Sequence, residues 1–207
     1  MNIVVAGIPR SGSTRLYNIV RLGFLQQYSP DLVNSEWVTN FKPSDNQNIL
    51  KIHQFSEKWL SWSDYVFTCK RDLRYIAASA IDLMPVNTYR TTDDIVKMCR
   101  EILEMYEAWS SHADYELVYE DFSENSESVV SKIFGVLGMN IDIGKLVADL
   151  NEIGNSRERF DRRTLMHPNH ISGQTKKHYS ERLTREQTSA IESVFGSWLV
   201  ENGYKLI

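Results

Sequence analysis

The chain opens on a short β-branched run, Asn2 to Gly7, that passes directly into Ile8-Pro9-Arg10-Ser11-Gly12-Ser13-Thr14 and then into an apolar-periodic stretch from Leu16 to Leu25. That succession predicts strand, loop, helix. A glycine-containing loop between a strand and a helix gathers its own N–H groups and the positive end of the helix around one point, where a phosphate can be held. The opening residues therefore commit the chain to an α/β architecture with a candidate anion site on one edge.

The glycine spacing of this loop resembles the Walker A pattern, but Ser13 stands where that pattern needs its lysine, and Arg10 supplies the cation from inside the loop. An ordinary ATPase is disfavoured on that ground. The planar fork of arginine donates to two anionic oxygens at once and stays charged. Ser11, Ser13 and Thr14 add hydroxyl donors. The same residues also suit a plain Gly/Ser-rich turn whose hydroxyls cap the helix, so the loop needs a second site to give it meaning.

Further along, Ile49 to His53 and Tyr65 to Cys69 are strand candidates, the latter followed by a charged turn and a helix near Arg74 to Leu83. Ile95, Met98, Cys99, Ile102, Tyr106 and Trp109 have helical spacing after a Thr/Asp-rich start, and Glu116 to Tyr119 forms a fourth strand candidate. A helix over Val129 to Leu137 stops at Gly138. Thr184 and Gln187 have the spacing of a capping box ahead of an apolar face that includes Ile191, Phe195 and Leu199. Strands separated by helices predict a three-layer α/β sandwich around a central parallel sheet. A length of 207 residues allows one such domain, 1–207, and not two. The segment from about Asn155 to Lys177, rich in Arg, His, Asn and Gly, is expected to be the least structured and to form a flap.

A second cationic site follows the third strand candidate, in Lys70-Arg71-Asp72-Leu73-Arg74-Tyr75-Ile76-Ala77-Ala78-Ser79. Ligands of open α/β sheets bind at the carboxyl ends of the strands, so Arg71 should share an edge with the first loop. Taken alone, the segment reads rather as a solvated turn with Asp72 capping a helix and a small-residue packing face at Ala77, Ala78 and Ala80; its pairing with the first loop reverses that preference. Two separated anion sites do not suit ATP, whose phosphates lie in one chain and carry Mg²⁺. The Asp that holds such a metal should end an apolar strand, whereas Tyr65 to Cys69 runs into Lys70-Arg71. Between the two sites lie Lys51 and His53, which alternate along a strand and should point to the same side. A histidine is largely neutral near pH 7 and accepts a proton, and a lysine beside it supplies charge for a leaving oxygen. A histidine at a strand end bonded to a carbonyl is the structural alternative, and Glu36, in an unassigned loop, is a reserve base.

Pro9-Arg10-Ser11-Gly12-Ser13-Thr14 resembles the 5'-phosphosulfate loop of the sulfotransferase superfamily, the enzymes that use 3'-phosphoadenosine 5'-phosphosulfate (PAPS). Many members have Lys at the position of Arg10; the tyrosylprotein sulfotransferases and several bacterial branches have Arg. Arg71 and Ser79 match the spacing of the 3'-phosphate motif, and Lys51-Ile52-His53 resembles the Lys-Thr-His of the cytosolic enzymes, whose His is the catalytic base. Tyr119-Glu120-Asp121 resembles a supporting Tyr-Glu-Asp motif, with Tyr119 able to touch the nucleotide. The stretch His170 to Tyr179 resembles the Gly- and Lys-containing 3'-phosphate loop, which implies Ser172, Gly173 and Lys176 or Lys177 as further contacts. The resemblance implies the P-loop-like sulfotransferase fold and in-line sulfuryl transfer to a small-molecule or glycan acceptor. His53, Lys51 and Arg10 would be its catalytic residues, and no metal is needed.

Several classes of function are excluded or left as competitors. Lys plus Arg number 23 against 27 Asp plus Glu, so nothing general draws the chain to nucleic acid or to an anionic membrane. The start has no basic leader, no apolar run nears the roughly 18 residues of a membrane span, and no Asn-x-Ser/Thr occurs, all of which predict a cytoplasmic protein. Cys69 and Cys99 are expected as buried free thiols. His167 and His170 lack the partners of a metal site. A P-loop kinase-like transferase and an inactive nucleotide-binding module are the alternatives.

Overall fold

A computed structural model describes residues 1–81, 91–155, 160–166 and 178–207. Its centre is a five-stranded, all-parallel sheet in the order β2-β3-β1-β4-β5. The strands are β1 Asn2–Val5, β2 Val33–Trp37, β3 Gln47–Lys51, β4 Tyr65–Lys70 and β5 Tyr115–Val118. Helices α1 Ser13–Gln27, α2 Glu57–Trp62, α3 Leu73–Ile81 and α4 Thr92–Ser110 are joined by α5 Tyr119–Glu124, α6 Ser126–Val136, α7 Ile143–Asn155 and α8 Arg185–Glu201.

Side chains alternate across a strand, and the two faces of this sheet are filled accordingly. Ile3, Val5, Ile49, Phe67 and Leu117 pack under α1 and α6 against Leu16, Val20, Phe24, Ile133 and Phe134. Val4, Ala6, Leu50 and Val66 face the other way, toward Trp59 of α2 and Trp109 of α4. A third apolar cluster ties α3, α4 and α8 together through Ile76, Cys99, Ile102, Ile191 and Leu199. The result is the predicted three-layer α/β sandwich. Both cysteines are buried free thiols. The expected capping box forms at Thr184 with Gln187, and the Thr/Asp-rich start of α4 forms a second at Thr91 with Asp94; α6 ends just before Gly138. Among the described residues no helix is long and apolar enough to cross a membrane.

Three local expectations are corrected. Glu36 lies in strand β2, not in a loop: the segment is half-buried throughout and takes extended form because β3 offers it a parallel ladder, Val33 opposite Gln47 through Trp37 opposite Lys51. The strand expected to reach His53 ends at Lys51, with one further ladder bond from Ile52 N to Val5 O, 3.1 Å. Tyr119 is not the end of a strand but the first residue of α5. Of the expected flap, residues 160–166 are held onto α1, where Asn18 Nδ2 donates to Thr164 O (2.8 Å) and Tyr17 OH to Arg163 O (3.3 Å).

Candidate functional site

All the strands point their carboxyl ends at one edge, and the residues following β1, β3, β4 and β5 meet there. Ile8 to Gly12 make the turn from β1 into α1. Arg10 has φ 65° and Gly12 φ 98°, left-handed conformations that turn successive N–H groups toward a common side. At Gly12 a side chain would be strained by that φ, and its Cβ would lie 2.6 Å from Cδ2 of Tyr119. The loop thus rests directly on the Tyr119 ring. Ser11 is buried and spends its hydroxyl on structure, donating to Ile8 O (2.6 Å) and lying 2.8 Å from Cys69 Sγ. Gly12 caps α1 without any side-chain bond and its carbonyl takes Arg15 N at 2.8 Å, so the N–H groups of Ser13 and Thr14 are those that this 15-residue helix turns toward an anion.

Cations surround that helix end. The Arg10 guanidinium donates twice to Ser79 Oγ on α3, at 3.1 and 2.9 Å. Arg71 NH1 donates to the Arg10 carbonyl (3.3 Å), and its guanidinium lies 4.2 Å over the Tyr119 ring and 5.5 Å over that of Tyr75. Its Nε is buried and has no hydrogen-bond partner among the described residues. Burial, then the neighbouring Arg71, lower the Arg10 pKa to about 10, with Tyr119 opposing. Lys51 is buried at the end of β3; its Nζ donates to Thr14 Oγ1 and lies 5.5 Å over the Trp37 ring. Burial pushes its pKa down to about 7, with Arg10 adding to the fall and Cys69 opposing it.

His53 follows Lys51 by two residues and is fixed from three sides. Its Nδ1 bonds the Gly7 carbonyl, its own carbonyl accepts from Trp109 Nε1 (3.1 Å), and Trp37 meets its ring edge-on with centroids 4.9 Å apart. A carbonyl only accepts, so Nδ1 carries the proton and Nε2 presents its lone pair. Burial and then the charge of Lys51 lower the His53 pKa to about 4, against the Gly7 bond, so the ring is neutral in free protein at pH 7.

The edge is braced from beneath. Lys70 turns away to Glu116 (2.7 Å) and Asn202 (3.0 Å), leaving Arg71 as the strand-end cation that faces the loop. Glu120 accepts from Asp72 N (3.3 Å) and Tyr204 OH (3.4 Å). Asp72 holds the buried Arg74 (2.7 Å), which also reaches Glu192 (2.5 Å).

The structure thus brings Pro9 to Thr14, Lys51, His53, Arg71, Ser79 and Tyr119 to one edge. Glu36 is instead paired with Arg162 Nε at 2.8 Å. Ser172, Gly173, Lys176 and Lys177, with His167 and His170, lie outside the described residues. Among the described residues no group of three His, Cys, Asp or Glu could hold a metal ion. Sequence reasoning missed Trp37, inside an unrecognised strand. It placed Trp109 on an apolar face without its bond to His53; a buried tryptophan N–H that needs an acceptor was the available signal.

An α/β sheet with a lysine-less glycine loop at the carboxyl edge, faced by separate cations, has the architecture of the P-loop-like fold class. The fold is that of the PAPS-dependent sulfotransferases. Mouse sulfotransferase SULT7A1, solved with adenosine 3',5'-diphosphate (PAP), is similar at a TM-score of 0.72 and 12% identity over 96% of this chain and 84% of that one. Retinol dehydratase is similar in two complexes. With androsterone and PAP the TM-score is 0.62, at 15% identity over 99% of this chain and 82% of that one; with retinol and PAP it is 0.63, at 14% identity and the same coverage. No protein-family model and no curated protein sequence matches the chain.

Proposed function

We propose that residues 1–207 form one domain that transfers a sulfuryl group from PAPS to a hydroxyl or amino group of a small-molecule or glycan acceptor, with His53 as the base. One observation carries the reading: Arg10, Lys51 and Arg71 converge on the open N-terminus of α1 with no carboxylate of the described residues paired to them, and the buried Nε of Arg71 has no partner among those residues. A buried donor without a partner is costly, and an anion from outside is the partner that fits. The fold shared with PAP-bound sulfotransferases supports a nucleotide with phosphates at both ends.

The donor supplies an electrophilic sulfuryl group and a nucleotide leaving group. Arg10, Thr14, Lys51 and the N–H groups of Gly12 to Thr14 hold its 5' end, while Arg71 and Ser79 hold the 3'-phosphate and Tyr119 flanks the site. With Nδ1 tied to Gly7, His53 can accept the acceptor's proton only at Nε2. Lys51 and Arg10 place positive charge where the leaving oxygen develops its negative charge. The acceptor's chemistry is set by groups beyond His53, where Phe55 meets Trp109 edge-on at 5.0 Å and stacks with His112 at 5.8 Å.

Calorimetry with PAP in the absence of metal, set against ATP with Mg²⁺, tests the nucleotide half; labelled PAPS with a panel of acceptors tests the transfer. His53→Ala should lower turnover by about 10²- to 10⁴-fold, a general base's contribution, while leaving PAP affinity nearly unchanged. Binding of ATP·Mg²⁺ with no response to PAP would turn the reading toward a phosphotransferase. PAP binding without turnover on any acceptor would reduce the protein to a nucleotide-binding module.

A further inference from the structure

Trp37 is the last residue of β2 and lies opposite Lys51 of β3 in the parallel ladder, so the two side chains stand beside one another on the α1 side of the sheet. One indole meets both functional groups there. Lys51 Nζ lies 5.5 Å over the ring, and the His53 imidazole packs against it edge to face, with 4.9 Å between centroids and 70° between planes. The backbone that carries the indole is pinned. Trp37 N donates to Glu36 Oε1 (3.1 Å), the other oxygen of that carboxylate takes Arg162 Nε (2.8 Å), and the Trp37 carbonyl accepts from Asn40 N and Phe41 N, both at 3.0 Å. Val38 N then donates to Lys51 O at 2.9 Å. Among the described residues each functional group has one side-chain hydrogen bond, His53 Nδ1 to the Gly7 carbonyl and Lys51 Nζ to Thr14 Oγ1. Trp109 holds the His53 carbonyl and not its ring. A ring on one bond can still swing about that bond, and an ammonium on one hydroxyl can pivot; a fixed aromatic surface against both removes those motions.

We propose that Trp37 is a positioning residue that holds the base and the leaving-group cation in one arrangement: contact with the indole keeps His53 Nε2 turned toward the acceptor and the Lys51 ammonium on Thr14, beside the donor's 5' end. The inference rests on the sulfuryl-transfer reading above. In an in-line displacement the proton is taken on one side of the sulfur while the oxygen leaves on the other, so base and cation must be in place at the same moment. A shared wall makes their placements interdependent. An aromatic ring also suits the position chemically. A carboxylate or an amide there would bond the ammonium or Nε2 and consume the charge or lone pair that the reaction needs, whereas an indole face attracts a cation without accepting a proton from it.

The test is a double-mutant cycle on the intact protein, with labelled PAPS and an acceptor drawn from the panel. Trp37→Leu should lower kcat by about 10- to 100-fold, the range for a displaced catalytic group, while PAP affinity by calorimetry and the acceptor KM each change by less than about fivefold. In a His53→Ala background the same substitution should cost about threefold or less, the part that runs through Lys51. Trp37→Phe, which keeps a ring, should lie nearer the parent than Trp37→Leu, and thermal melting establishes that each variant is folded. The ring-nitrogen NMR spectrum of the free protein gives a readout apart from turnover: His53 should be a single Nδ1–H tautomer in the parent and a mixture in Trp37→Leu. A kcat unchanged in Trp37→Leu, a loss repeated in full in the His53→Ala background, or a Trp37→Phe variant as impaired as Trp37→Leu would overturn the assignment. An acceptor KM that rises with kcat intact would overturn it in favour of a direct acceptor contact. If the unmodified protein transfers to no acceptor, it is the sulfuryl-transfer reading that fails; the nitrogen spectrum then decides the role of Trp37, and one tautomer in both proteins overturns it.

Discussion

Replacing Lys51 by Met should make the free protein more stable while removing its affinity for PAP. The Lys51 side chain is only 4% exposed, and burial brings its pKa from 10.5 to about 7. Because the folded-state value is the lower one, the folded protein releases this proton near pH 7 while the unfolded chain keeps it to about 10.5. Between those limits the unfolded state binds more protons, so the stability of the unmodified protein rises with pH by up to about 1.4 kcal/mol per unit, roughly 5 kcal/mol in all. Below pH 7 the full cost of the buried ammonium is carried. Methionine has a similar length and no charge to desolvate, but it leaves Thr14 Oγ1 without its donor, a loss of about 1 kcal/mol. With relaxation around the charge taking up to half of the difference, the net gain at pH 6 is about 2–4 kcal/mol, which raises Tm by on the order of 5–10 °C for a chain of this size. At pH 9.5, where Lys51 is neutral when folded, the gain should shrink below about 1 kcal/mol. Urea unfolding of both proteins across pH 6 to 9.5 isolates this residue, since the other groups titrate in both. A Met variant less stable than the parent at pH 6, or two stability curves that stay parallel over that range, would refute the reasoning.

Two more substitutions probe the scaffold of the site. Gly7→Ala puts a Cβ 2.3 Å from Cys69 Sγ and 2.6 Å from Ser13 Cβ, so it should cost about 2–4 kcal/mol in urea unfolding. Adding Cys69→Ala should restore part of that loss; no restoration would place the strain elsewhere. Trp109→Phe keeps an aromatic ring in the core but takes the donor from the His53 carbonyl, and should lower kcat about tenfold, the worth of one positioning bond, with PAP affinity unchanged. Equal losses in turnover and nucleotide affinity would mean that the tryptophan holds the whole edge rather than the base.

The parts of the site that read directly from the sequence are those in which a local pattern and its chemistry coincide. β1, the loop and α1 form one such unit, and Arg71 with Ser79 is another, because a strand end and the turn of a helix are both encoded within a few residues. Strand β2 is different. Val33-Asn34-Ser35-Glu36-Trp37 has no buried position and no apolar alternation, and it becomes a strand only because β3 presents a free edge. Asn48, buried on β3, reinforces that pairing by accepting from Asn34 Nδ2 at 2.8 Å and donating to Ser44 O at 2.8 Å. The strand hidden in this way is the one that delivers Trp37 to both His53 and Lys51.

The same division runs through the chemistry. Residue types announce which side chains are able to carry charge or accept a proton, but the state in which they rest is set by partners distant in the chain. His53 owes its tautomer to the Gly7 carbonyl, 46 positions earlier, and its neutrality to burial beside Lys51. Tyr119 shows the consequence of a single residue at a boundary: as the first residue of α5 rather than the last of β5, it lies under Gly12 and carries Arg71 on its ring. Burial thus brings Lys51 close to its titration point near pH 7 and leaves His53 neutral there in the free protein. An anion placed beside Lys51 would favour its ammonium form, while His53, held down first by burial, is neutral at pH 7 in either state of the lysine.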